Sequence, residues 1–151
     1  MRKIMPLIAI LLVSGCSTMR PTQSYVSPEL KAGDARTLST DAVSYLSDVL
    51  PPARTTLVID LPKTRGQQDS LTSAMMASLR ARGYGVTVAD PKTAATVGTP
   101  LRYLASPLYG GVLLRLQYQG TEASRFYPRT IGGSLVVSKD AAFTVKQSGG
   151  I

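Results

Sequence analysis

Between residues 38 and 50 the apolar residues recur at steps of three and four. The positions that form this series are Leu38, Ala42, Leu46 and Val49. Such spacing predicts a helix with one buried face. The prolines at positions 51 and 52 end it, because proline lacks the amide donor and disfavours helix in the residue before it.

A second helix is predicted over residues 67–82. Its turns are marked by Leu71, Met75, either Ser78 or Leu79, and Arg82. Asp69 is a residue type that caps a helix N-terminus, and Gly83 is the type that most often follows a helix C-terminus. The β-rich runs Thr55–Leu61 and Tyr84–Ala89 flank this helix, so strand, helix and strand predict a βαβ-like unit.

The second half of the chain is predicted to consist mainly of strands. Val112–Gln119 alternates apolar and polar residues, the period of a half-buried strand, between turns at 107–111 and 120–123. The other predicted strands are Leu101–Ser106, Ser124–Tyr127, Ser134–Ser138 and Ala142–Lys146. With the two helices they predict an α+β fold in which both helices pack on one face of a small mixed β-sheet.

The N-terminus has the pattern of an export leader. Met1–Lys3 carries positive charge, Ile4–Val13 is apolar apart from Pro6, and small residues follow. The apolar run is about half of the ~20 residues that a membrane-spanning helix needs. We therefore predict that residues 1–15 are a signal peptide that is removed.

Cys16 is the only cysteine and directly follows Gly15. The run Val13-Ser14-Gly15-Cys16 resembles the lipobox of bacterial lipoproteins, in which the thiol receives diacylglycerol before cleavage and the new N-terminus is then acylated. Two or more acyl chains make a stable anchor. Other readings are an ordinary signal peptide with an incidental cysteine, or a short inner-membrane anchor. Ser17 is not the aspartate that retains enteric lipoproteins in the inner membrane, so the resemblance implies the outer membrane, on its periplasmic side.

The residues after Cys16 are predicted to form a tether and then a domain. Residues 16–36 contain prolines and no periodicity, which is typical of an extended tether. Tyr25, Val26 and Leu30 are more apolar than a passive spacer requires, so we predict that they contact a partner. Residues 37–151 are predicted to form the α+β domain.

Composition excludes several kinds of chemistry. The chain has no histidine, and its one cysteine is assigned to lipid. Ser-His-Asp triads, thiolate nucleophiles, disulfides and His/Cys metal sites are therefore excluded. The nine acidic residues are scattered without the spacing of a carboxylate pair. We expect no enzyme, no metal and no cofactor apart from the covalent lipid.

The chain is basic, with a net charge of +8 that falls to +6 when Arg2 and Lys3 leave with the leader. The positive residues are dispersed, and the closest group, Arg80 with Arg82, lies at a predicted helix C-terminus where cations are favoured. Direct contact with nucleic acid is therefore not expected. A partner with an acidic surface, or anionic lipid headgroups, would also suit this charge.

Several short segments carry a resemblance to a known family. After the lipobox come Ser27-Pro28-Glu29-Leu30 and Asp41-Ala42-Val43. The later segments are Pro51-Pro52-Ala53-Arg54-Thr55, Leu79-Arg80-Ala81-Arg82-Gly83-Tyr84 and Pro100-Leu101-Arg102-Tyr103. In this order the chain resembles TrbH, the lipoprotein family of Trb-type conjugative type IV secretion systems.

The resemblance implies a structural role in an outer-membrane core complex. In such complexes a lipoprotein sits in a ring with a VirB9-like and a VirB10-like subunit, and its acyl chains fix the ring to the membrane. The resemblance also implies a likeness of the domain to the two-layer N0 domains of secretins. The alternative is a periplasmic binding module that recognises peptidoglycan or acts as an entry-exclusion factor.

Overall fold

A computed structural model gives the fold of residues 23–64, 68–93 and 97–147. It contains two α-helices and seven β-strands, with a short 3₁₀ helix at Pro52–Arg54. The elements in chain order are β1 (Tyr25–Val26), α1 (Ala32–Val49), β2 (Thr56–Ile59), α2 (Ser70–Arg82), β3 (Gly85–Val88), β4 (Thr99–Leu108), β5 (Gly111–Tyr118), β6 (Thr121–Pro128) and β7 (Thr144–Gln147). The α+β class predicted from the sequence is confirmed.

The strands form one mixed sheet in the order β3-β2-β4-β5-β6-β7. β2 pairs in parallel with β3 and with the first residues of β4, whereas β4 to β7 are antiparallel neighbours. β1 pairs in parallel with β4 farther along, with Tyr25 opposite Leu104. The strands β2 and β3 with α2 between them confirm the predicted βαβ-like unit.

Both helices cover the same face of the sheet. Alternate residues of β4 and β5 point to this face, and the buried members are Leu101, Tyr103, Ala105, Val112, Leu114, Leu116 and Tyr118. The helices contribute the buried series Leu38, Ala42 and Leu46 from α1 and Leu71, Met75 and Leu79 from α2. Most of these are positions that the periodicity predicted, and of the two alternatives in α2 the buried one is Leu79, not Ser78. Arg82 and Val49 are exposed, and Val43 is buried in α1.

The first helix begins earlier than the sequence pattern predicted. α1 starts at Ala32, inside the segment predicted to be an extended tether, and the predicted domain boundary at residue 37 lies within this helix. The side chain of Asp34 accepts the Lys31 backbone N–H at 3.0 Å, which satisfies a backbone donor at the helix entry. Ala35 continues the buried series by one step toward the N-terminus. The sequence pattern did not predict the first turn of α1, because its apolar residues, Ala32 and Ala35, are small and mark a helical face only weakly.

Two predictions in the C-terminal half are wrong. Residues 120–123 do not form a turn: Gln119 and Gly120 make the whole connection, both with positive φ, and β6 begins at Thr121. Such a pair matches the twist of a tight hairpin. The predicted strand Ser134–Ser138 is also absent, because only Leu135 makes a bridge, to Arg129.

Candidate partner-binding site

Cys16, the predicted lipid-attachment residue, lies outside the described residues, as does the predicted leader. Acylation of its thiol therefore stays a prediction. The described chain begins at Gln23, seven residues after Cys16. What the structure does show is how the polypeptide that follows joins the domain.

The three residues predicted to contact a partner lie on the domain itself. Val26 and Leu30 are partly buried and pack against the hydrophobic core, so these two side chains face their own domain. Tyr25 points to the other side of the sheet and keeps 49% of its surface exposed. Of the three, Tyr25 is the one whose side chain is open to a neighbour. Alternation along so short a strand gave no signal that would have separated it from Val26.

Buried hydrogen bonds fix this N-terminal segment. The Tyr103 backbone N–H donates to Ser24 Oγ at 3.1 Å, and the Ser27 N–H donates to the Ala105 carbonyl at 3.0 Å. Ser24 and Ser27 are both buried. The segment from Ser24 to Leu30 is therefore part of the sheet and its packing, which corrects the prediction that it is an extended tether.

The sheet face away from the two helices is called here the open sheet face. Its half-buried or exposed apolar side chains are Tyr25, Leu104, Leu113 and Phe126. Polar pairs lie among them: Arg102 Nε donates to Asp60 at 2.8 Å, and Gln117 donates to Glu122 at 3.0 Å. A face that mixes apolar and paired polar side chains is typical of protein interfaces.

Two carboxylates of α1 hold the opposite side of β6. Asp41 accepts two hydrogen bonds from Arg125, at 3.1 and 2.9 Å, and one from the Tyr127 hydroxyl at 2.7 Å. Burial, together with the neighbouring Asp41 carboxylate, raises the pKa of Tyr127. The hydroxyl therefore stays a hydrogen-bond donor. Arg125 also donates to the Ser138 carbonyl, which ties the segment after β6 to α1.

The second carboxylate, Asp34, binds Arg129 with both oxygens, at 2.9 and 2.8 Å. Burial alone would raise the pKa of Asp34, but hydrogen bonds from Arg129 and from the Lys31 backbone outweigh it and the pKa is lowered. These ion pairs were not predicted from the sequence. The signal was present in Arg125, Tyr127 and Arg129, which continue the buried face of β6 at every second residue.

The remaining buried hydroxyls are also hydrogen-bonded. Thr72 donates to Asp69 at 2.6 Å, so the hydroxyl of Tyr103, 2.5 Å from Thr72 Oγ1, acts as donor to it. Burial raises the pKa of Tyr103. The hydroxyls of Tyr45 and Tyr118 lie 2.7 Å apart. These contacts connect the helices to the centre of the sheet and are structural.

The described ranges contain no group of three or more His, Cys, Asp or Glu side chains that could hold a metal ion. Within the same ranges, no helix has the length and apolarity to cross a membrane. The surface has open grooves, such as one of about 390 Å³ next to Leu108, Tyr109 and Arg129.

Comparison with known proteins identifies the family. The family model described as "Conjugal transfer protein TrbH" matches residues 17–145, which is most of the chain. No curated protein and no solved structure matches this chain. The predicted likeness to secretin N0 domains therefore stays a prediction. The match over 17–145 confirms the resemblance seen in the sequence: the chain belongs to the TrbH family of conjugal transfer proteins.

Proposed function

We propose that this TrbH-family protein is an outer-membrane lipoprotein subunit of a conjugative type IV secretion system. Lipid on Cys16 would anchor the channel ring to the outer membrane during plasmid DNA transfer. Family membership supports the conjugative role. The observation that carries the anchoring is the position of the only cysteine, directly after Gly15 at the end of an apolar leader. The proposed partners are the VirB9-like and VirB10-like core subunits and further copies of this chain.

The surfaces of the domain suit a subunit surrounded by neighbours. The open sheet face carries Tyr25 and Phe126 at its surface. β7 pairs with β6 on one side, and all four of its residues are exposed. An outer strand of this kind offers backbone donors and acceptors to an added strand. In a ring, weak contacts of this sort are strengthened because each subunit is also held by lipid.

The anchoring is tested by labelling cells with a radioactive fatty acid. The parent chain should incorporate label, whereas Cys16→Ser should not and should leave the outer-membrane fraction. Ser17→Ala retains the thiol and serves as the matched control, with labelling at the parent level. Label retained in Cys16→Ser would contradict lipid attachment at this residue.

Sorting to the outer membrane is tested by changing Ser17, the residue after Cys16. In enteric-type bacteria an aspartate in this place holds lipoproteins in the inner membrane, so Ser17→Asp should move the labelled protein to the inner-membrane fraction. An unchanged distribution between the two membranes would contradict sorting to the outer membrane through this position.

The assembly is tested by purifying the tagged chain from membranes of cells that express the whole transfer system. A core subunit should co-purify in a fixed ratio with the VirB9-like and VirB10-like proteins. A monomer that instead retains peptidoglycan fragments would favour the alternative of a cell-wall-binding module.

A further inference from the structure

One end of the domain carries three arginines that face solvent. Arg80 and Arg82 lie in the last turn of α2, and Arg54 ends the short 3₁₀ helix. Contacts among neighbouring segments bring these elements together: Arg82 donates to Ser47 near the end of α1 at 3.0 Å, and Tyr84 donates to the Leu50 carbonyl at 2.7 Å. We call this surface the basic end and define it by Arg54, Arg80 and Arg82.

The basic end has an unbalanced charge. All three arginines are exposed. One acidic residue, Asp48, lies nearby, since its charge and that of Arg82 both affect the pKa of Tyr84. The opposite end, at the turn between β4 and β5, differs. There the exposed Lys31 is accompanied by the exposed Glu29, and Arg129 is paired with Asp34. Arg36 is exposed there as well, so both ends carry an excess of positive charge, and the excess is larger at the basic end, where among the described residues three arginines face the single acid Asp48.

The chain enters the domain within reach of the basic end. β2 begins there and aligns Leu57 with Thr99, so β4 starts at the basic end and runs away from it. β1 pairs with the same edge of β4 as β2 but farther along, with Tyr25 opposite Leu104, so Ser24 lies beside the end of β2. The basic end lies beyond the four residues of β2, about 13 Å from there. The seven residues 16–22 can span at most about 25 Å. An acyl group on Cys16 would thus hold the domain close to the bilayer, near enough for the basic end to reach the headgroups.

From this combination we propose that the basic end docks on the anionic headgroups of the bilayer that holds Cys16. The inference rests on the proposed lipid anchor and adds an orientation to it. Clustered basic side chains are attracted to anionic leaflets within about a Debye length of the surface. Docking would turn the exposed Tyr109 and Leu108, at the far end of β4, away from the membrane and toward the rest of the assembly.

The absence of tryptophan from the chain allows a single-reporter test. Val97→Trp places the reporter at an exposed position just before β4, near the basic end, and Tyr109→Trp places it at the opposite turn, about 33 Å away along ten residues of strand. The full chain, expressed with its leader, would be purified from membranes and reconstituted in vesicles of phosphatidylcholine, phosphatidylglycerol and a dansyl-headgroup lipid. Energy transfer to dansyl, which falls steeply with distance, is expected to be several-fold stronger from position 97.

The difference should depend on the three arginines. It should disappear in the triple variant Arg54→Gln, Arg80→Gln, Arg82→Gln, in vesicles without phosphatidylglycerol, and in about 1 M salt. The matched control changes three exposed lysines elsewhere: Lys63→Gln, Lys92→Gln and Lys139→Gln. This variant loses the same amount of charge but should keep the difference in energy transfer between the two positions. Urea unfolding of both triple variants would confirm that each is folded.

Three outcomes would overturn the inference. Stronger transfer from position 109 would show that the turn between β4 and β5 faces the bilayer. Equal transfer would show a domain that rotates freely on its tether. A difference that persists in the arginine variant would show that the tether alone sets the orientation. Mass spectrometry of the same samples reads acylation separately, so a chain without lipid contradicts the anchor, whereas these outcomes in an acylated chain contradict only the docking.

Discussion

Asp34 and Asp41 are seven residues apart, two turns of α1, and therefore lie on the same face of the helix. Each carboxylate forms an ion pair with an arginine: Asp41 with Arg125 of β6, and Asp34 with Arg129, the residue after β6. A carboxylate that is nearly buried is stable only when it is paired and hydrogen-bonded. The two ion pairs thus fix how α1 lies along the sheet, a task that apolar packing performs less specifically.

Removing the charge of Asp41 should destabilise the domain strongly. Asp41→Asn leaves the Arg125 guanidinium, whose side chain is only 10% exposed, without its counter-charge. We expect the free energy of unfolding to fall by about 3 kcal/mol. Asp60→Asn is the matched control, because its partner Arg102 is 42% exposed and such pairs contribute about 0–1 kcal/mol. Urea unfolding followed by circular dichroism measures both, and equal losses would contradict the distinction.

Asp34 should make stability depend on pH. Its pKa in the folded protein lies below the ordinary value of 3.8, so the folded state binds fewer protons there than the unfolded state. The contribution of Asp34 is complete above the ordinary value and is lost as pH falls through the lowered pKa of the folded state. Between about pH 5 and pH 3 the parent should therefore lose more stability than Asp34→Asn. Glu29→Gln, which changes an exposed side chain, should follow the parent, and parallel curves for all three proteins would refute the assignment.

At the scale of elements, α2 is joined to the centre of the sheet by one chain of hydrogen bonds. Asp69 caps the helix by accepting the Thr72 N–H at 2.7 Å and also accepts the Thr72 hydroxyl, which in turn accepts from Tyr103. The same carboxylate therefore caps the start of the helix and positions it over β4. The sequence predicted the cap correctly but could not show that Thr72 connects it to a tyrosine 31 residues away.

Loss of the Thr72 hydroxyl should cost more than its size suggests. Thr72→Val keeps the shape but leaves the buried Tyr103 hydroxyl without an acceptor, which should lower the free energy of unfolding by about 1–3 kcal/mol. Thr72→Ser keeps the hydroxyl and should retain the hydrogen bonds. Adding Tyr103→Phe to Thr72→Val removes both partners and should recover part of the loss. Additive losses in this double-mutant cycle would show that the two hydroxyls do not interact.

Regular periodicity explains which elements the sequence predicted well. α2 and β5 repeat large apolar residues at helical and strand spacing, and both were located within a few residues. One failure occurred where contacts distant in sequence decide the structure. β1 exists because Tyr25 and Val26 pair with β4, almost eighty residues later. No local pattern contains that information.

For the whole molecule, the lipid-attachment residue could be proposed from sequence because its signal is local: a leader, small residues and a cysteine. The surface proposed to contact a partner could not be identified from sequence, because it depends on which side of the sheet each residue faces. Tyr25 and Val26 are adjacent and equally apolar in pattern, yet one is exposed on the open sheet face and the other packs on the core. Orientation relative to a membrane is likewise a property of the folded domain, since Arg54 and Arg82 come together only through folding.

The extent of the domain leads to a prediction about truncated chains. A chain that begins at Gln23 keeps β1, the packing of Val26 and Leu30, and the Asp34–Arg129 pair, and should unfold in one cooperative transition. A chain that begins at Thr37, the boundary predicted from sequence, loses all of these and the first five residues of α1. Because domains are stable by only about 5–15 kcal/mol, we expect this chain to be largely unfolded at 25 °C. Thermal unfolding followed by circular dichroism compares them. Equal stability would return residues 23–36 to the role of a tether.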